Sequence, residues 1–134
     1  MLIAKDIKKL FGELNLQEDT YVTVDGSDIL IHFEQEKLNL SLRTTVYNGG
    51  NYIPSSVRHC LSHRFPHHYQ SIDTYLTLDE LNFQIQLNYK NKTNEPLSLS
   101  LFKELLEEFG SIAEMWRARL DEHDRNDLVY VKVR

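Results

Sequence analysis

Apolar and polar positions along this chain change period several times, and each change marks an element. In LIAKDIKKLFGEL (2–14), Ile3, Ile7, Leu10, Phe11 and Leu14 recur at helical spacing, with Lys5, Lys8 and Lys9 off the stripe. The pattern predicts an amphipathic helix, weakened near its end by Gly12. The β-prone run TYVTV (20–24) then meets Asp25-Gly26, a tight-turn pair, and DILIHFE (28–34) places Ile29, Ile31 and Phe33 on one face. These two runs predict a hairpin. In KLNLSLRTTVY (37–47), Leu38, Leu40, Leu42, Thr44 and Val46 alternate with Asn39, Ser41, Arg43 and Thr45, as in a strand with one polar face.

NGGN (48–51) breaks the alternation. Pro54, Ser55 and Ser56 then open a short helix over about 55–64, with Val57, Leu61 and Phe65 at i, i+4 and i+8. Pro66 ends it by disfavouring helical dihedrals at Phe65. TYLTLD (74–79) and FQIQLNY (83–89) alternate again and form a second hairpin across ELN, before a polar loop at 90–96. Over 98–122, Phe102, Leu105, Leu106, Phe109, Ile112, Ala113, Trp116 and Leu120 trace one helical stripe, which Ser98 or Ser100 can cap. Glu104, Glu107 and Glu108 precede Arg117 and Arg119, an order that suits the helix dipole. Gly110 interrupts the stripe and calls for a close packing contact. LVYVKV (128–133) reads as one more short strand.

The expected architecture is α+β: an antiparallel sheet covered by helices, in the order α-β-β-β-α-β-β-α with a possible C-terminal strand. At 134 residues, without repeats or low-complexity linkers, a single domain over 1–134 is expected.

Charge adds an asymmetry to this frame. Residues 1–36 hold eight acids against three Lys/Arg, net −5; residues 37–72 hold four bases (Lys37, Arg43, Arg58, Arg64) and no acid, net +4; residues 73–134 hold twelve acids against eight bases, net −4. Acidic ends therefore flank a basic middle, which can meet an acidic partner or the acidic flank of a second copy. The overall charge of −5 does not suit a general polyanion binder. Four bases with Tyr47, Tyr52 and Tyr69 fall short of a nucleic-acid surface. One cysteine excludes an intrachain disulfide and suits a reducing compartment. Without a leader pattern or an apolar run near the ~20 residues that span a bilayer, a soluble cytoplasmic protein is expected.

No catalytic pattern emerges. Gly49-Gly50 lacks the rest of a phosphate loop, and Ser55-Ser56 lies outside a nucleophile-elbow pattern. Four of the six histidines and Cys60 fall within HCLSHRFPHH (59–68). His59 and His63 have the i, i+4 spacing of metal ligands, and His67 continues it by number. Yet Pro66 interrupts the helix, and no carboxylate lies nearby to complete a four-ligand zinc site. His59 and Cys60, as helix neighbours, point ~100° apart and do not form a catalytic pair. A pH-sensing role for these imidazoles beside Arg58 and Arg64 is a further alternative. The plain reading is a polar or interface helix, with no metal, no cofactor and no enzymatic activity.

The element order, with TYLTLDELNFQIQLNY followed by LFKELLEEFGSIAEMWRARL, resembles the class I type III secretion chaperones of Gram-negative bacteria, over about residues 2–122. The resemblance implies virulence-associated chaperones that bind an extended segment of a secreted effector and keep it export-competent, without ATP hydrolysis. It implies an effector-facing surface, for which Leu2, Ile3, Phe11, Ile31 and Phe33 are the candidates. It also implies a dimer, through Val57, Leu61, Phe65, Tyr75 and Thr77. Each of these apolar residues serves equally well as core. The histidine-rich second helix and the LVYVKV tail depart from the family pattern, leaving homodimer and heterodimer with a second chaperone subunit both open. The alternative function is a regulatory interaction protein that binds a transcription component such as RNA polymerase or a regulator. Direct nucleic-acid binding and membrane association are not expected.

Overall fold

The computed structural model describes residues 8–9, 12, 19–34, 39–59, 61, 72–92 and 98–133, with side chains described except at Lys92 and 123–133. Lys8, Lys9 and Gly12 have helical backbone and are exposed. The remaining residues of the predicted first helix lie outside the described ones, as do most of the histidine-rich stretch and Cys60. Elements then follow as β1 (Asp19–Val24), β2 (Ser27–Glu34), β3 (Asn39–Asn48), α1 (Ser55–His59), β4 (Thr74–Asp79), β5 (Gln84–Lys92) and α2 (Leu99–Val133). All pairings are antiparallel, and the sheet order is β1-β2-β3-β5-β4. The architecture is therefore α+β, with α2 laid across one face of the sheet.

Local chemistry sets the turns. Asp25 and Gly26 both have positive φ, 50° and 81°, as a two-residue turn matched to strand twist requires. At the β4–β5 turn, the Asp79 carboxylate accepts from the backbone N–H groups of Leu81 (3.1 Å) and Asn82 (3.2 Å) and from Asn82 Nδ2 (2.8 Å). These bonds favour its ionised form and hold its pKa below the usual carboxylate range. Ser98 caps α2: its Oγ accepts from the Leu101 N–H at 3.2 Å.

One face of the sheet shares a core with α2, which lies over β1, β2 and β3. Ile29, Ile31, Leu40, Leu42, Ile85 and Leu87 meet Phe102, Leu106, Phe109, Ile112, Trp116 and Leu120, all buried. Burying a side chain of this size stabilises by roughly 1.5–3 kcal/mol. A bulge alters the pattern in β3. Thr45 pairs with Gln86 and Tyr47 with Ile85, so Val46 is the extra residue. Both Val46 and Tyr47 are buried, whereas strict alternation predicts Tyr47 outside.

The C-terminal strand expected at 128–133 is corrected: these residues continue the helix to Val133. No Gly or Pro follows Gly110 in the chain. Once a helix is nucleated, each added residue gains a backbone hydrogen bond, while strand preference depends on finding a sheet partner.

Candidate functional site

The face of the sheet opposite α2 carries the polar half of each strand. Its register builds rows that cross several strands. Tyr21 lies opposite Leu30, Leu30 opposite Arg43, Arg43 opposite Asn88, and Asn88 opposite Tyr75, so all five strands contribute one residue to one line. In the adjacent row Asp19 faces His32, His32 faces Ser41, and Ser41 faces Lys90. A groove of about 270 Å³ runs between these rows.

Hydrogen bonds fix the centre of the first row. Arg43 Nε donates to Asn88 Oδ1 at 3.0 Å. Asn88, only 4% exposed, donates from Nδ2 to Thr77 Oγ1 (2.9 Å) and lies 3.2 Å from the Gln86 carbonyl. In the second row His32 Nδ1 stands 2.6 Å from Asp19 Oδ1, and Nε2 stands 3.6 Å from Glu34 Oε1. The hydrogen bond to Asp19 outweighs the opposing effect of burial and raises the His32 pKa above 6.5.

The sheet presents two edges. Among the described residues, β1 and β4 each pair on one side only. Tyr21 on β1 is 71% exposed and Tyr75 on β4 is 51% exposed. Near the β4 edge, Leu81 projects from the turn, and Arg58 of α1 lies 3.6 Å from Glu80. An unpaired strand edge of this kind can accept a further strand through its backbone groups.

The residues proposed from sequence separate into distinct groups. Tyr75 and Thr77 lie exposed on β4. Leu61 is half-buried against the core, and Val57 is fully buried. Val57 is thus part of this chain's own core. Ile31 and Phe33, expected to face an effector, are also buried in the core. They pair with Leu42 and Leu40 on the face that α2 covers. Leu2, Ile3, Phe11 and Phe65 lie outside the described residues. The outer rows were not assembled by sequence reading: alternation places Arg43 and Asn88 on polar faces, but the register joining them is set by pairing residues 45 positions apart.

Among the described residues no cluster of His, Cys, Asp and Glu could hold a metal ion. His59 is exposed, and the other members of its cluster lie outside the described residues. Among the described residues no helix is long and apolar enough to cross a membrane.

The class defined by this geometry is an α+β fold whose antiparallel sheet has helix on one face and open edges. The particular likeness is to a chain of the solved "Crystal Structure of the ExsC-ExsE Complex". The TM-score is 0.56 at 19% identity, covering 90% of this chain and 97% of that chain. At this identity the likeness is one of fold. No protein-family model matches the chain, and no curated protein matches it in sequence.

Proposed function

We propose that this protein is a type III secretion chaperone, which binds an extended segment of a secreted effector and keeps it export-competent. The observation that carries this reading is the shared fold, over 90% of the chain, with a chain of the ExsC-ExsE complex. The sequence resemblance points the same way. The physical chemistry is that of surface rather than catalysis. An edge strand supplies backbone donors and acceptors to an incoming extended chain, and neighbouring side chains select what it carries. In this reading the protein acts in the cytoplasm as a dimer, without cofactor or enzymatic activity. Thr77 on the β4 edge and Leu61 beside the core are its subunit contacts, and Tyr75 is left to the open face of the sheet. Leu2, Ile3 and Phe11 remain the candidate apolar contacts for the effector.

The test is affinity capture from the lysate of a host that carries a secretion system, followed by light scattering of the purified complex. The expected result is a stoichiometric secreted protein bound to two chaperone subunits. Recovery of an RNA polymerase subunit instead would favour the regulatory alternative. A stable monomer that captures no secreted protein would sink the chaperone reading.

A further inference from the structure

Arg43 stands on β3, the middle strand of five, at the centre of the row that begins at Tyr21 and ends at Tyr75. Its Nε is committed to Asn88, a buried residue whose own amide is held by Thr77. A guanidinium tied at Nε has its plane set and keeps two terminal nitrogens, the fork that matches a carboxylate. Among the described residues, neither Arg43 nor Lys90 of the adjacent row has a carboxylate partner. Of the described acids on the strands of this face, Asp19 and Glu34 lie with His32, Asp28 accepts from Thr23 Oγ1 and Asp79 accepts from Asn82. Arg43 also belongs to the acid-free stretch 37–72. The open face therefore offers an oriented cation flanked by apolar surface, with Leu30 and Tyr21 on one side and Tyr75 on the other.

We propose that this groove anchors a carboxylate of the partner's extended segment, an Asp or Glu side chain pairing with the Arg43 Nη atoms while apolar side chains cover the flanks. The inference rests on the chaperone reading and names the chemistry of what is bound. Strands lie about 4.8 Å apart, so Tyr21 and Tyr75, each two strands from Arg43, are roughly 10 Å away. In an extended polyproline-type chain, rising about 3.1 Å per residue with three residues per turn, side chains three positions apart share a face at that distance. The favoured pattern is apolar-x-x-acid-x-x-apolar.

The probes are two capped heptapeptides, LTTETTL and LTTQTTL, titrated into the ¹⁵N-labelled full chain. The acidic peptide is expected to bind about tenfold tighter, consistent with one charge-assisted pair. Saturable shifts are expected at the Leu30, Ser41, Arg43 and Asn88 amides. Arg43→Gln should abolish the preference, and Arg43→Lys, which keeps the charge without the fork, should retain part of it. Equal affinity of the two peptides for the wild-type chain would overturn the proposal whether or not a variant folds. So would shifts confined to the other face. Capture of the secreted protein from lysate tests the chaperone reading separately. Undiminished capture by a folded Arg43→Gln chain would leave that reading standing and remove the anchor.

Discussion

Gly110, inside α2, lies so close to Val24 at the end of β1 that a Cβ on residue 110 would stand 2.6 Å from Val24 Cγ1. Two helical turns further on, Arg117 Nη2 donates to the Asp25 carbonyl at 2.6 Å and Nη1 to the Gly26 carbonyl at 3.3 Å. One stripe of α2 therefore seats the whole β1–β2 turn.

Gly110→Ala should destabilise the fold even though alanine is the better helix former by about 1 kcal/mol. Val24 is buried and its backbone oxygen lies 3.5 Å from the added atom, so the neighbour has little room to yield. Overpacking of this kind costs typically 1–3 kcal/mol, and the expected net loss is about 1 kcal/mol in urea unfolding. Pairing it with Val24→Ala should reveal favourable coupling, because the second change removes the obstructing methyl groups. A stabilised single variant would refute the close contact.

Asn88→Ala should cost about 1 kcal/mol, the net worth of a typical hydrogen bond, because the partners it leaves, Arg43 and Thr77, are exposed and can turn to water. It removes the acceptor of Arg43 Nε and the donor to Thr77 Oγ1 together. Unfolding midpoints of Asn88→Ala, Thr77→Val and the double variant check this. Strict additivity would mean that the two residues do not act as a pair.

His32 should make stability weakly pH-dependent. Its folded pKa is raised above 6.5, chiefly by the hydrogen bond to Asp19. The folded state therefore favours the protonated ring. The contribution is fully present below pH ~6.5 and is lost as pH rises through the folded-state value. With 36% of the His32 side chain and 63% of the Asp19 side chain exposed, screening keeps it below about 1 kcal/mol. Urea midpoints for the wild type and His32→Gln at about pH 5.5 and 8.5 should converge at the higher pH. A wild-type advantage that grows with pH would reverse the assignment.

Ending the chain after Glu122 should lower the helical circular dichroism signal, because the backbone of 123–133 continues α2. The loss should match about three helical turns, at 3.6 residues per turn. A loss of strand signal instead would restore the reading of 128–133 as β.

Much of the fold was legible because its signals are local. The period-two runs of β2 and β3, the Asp25-Gly26 turn and the apolar stripe of α2 each depend on residues within a few positions of one another. Every member of the stripe from Phe102 to Leu120 is buried. Even the demand for a close neighbour at Gly110 was visible, though its identity as Val24 was not. The tail misled because LVYVKV carries strand preference, whereas an uninterrupted helix precedes it and no sheet partner is supplied locally.

What the chain determined by itself was therefore periodicity: which side of each element is apolar, where the backbone turns, and that residues 37–72 carry no acid. Only the tertiary structure decided which apolar residues are left over for a partner. Ile31, Phe33 and Val57 are as apolar as any docking residue, but helix cover and chain packing consume them as core. Likewise, alternation alone marks Arg43 and Asn88 as outward-facing, and the cross-strand register brings them to 3.0 Å. Local sequence sets a side chain's direction, while long-range pairing sets its neighbours, and it is the neighbours that turn a polar face into a candidate binding surface.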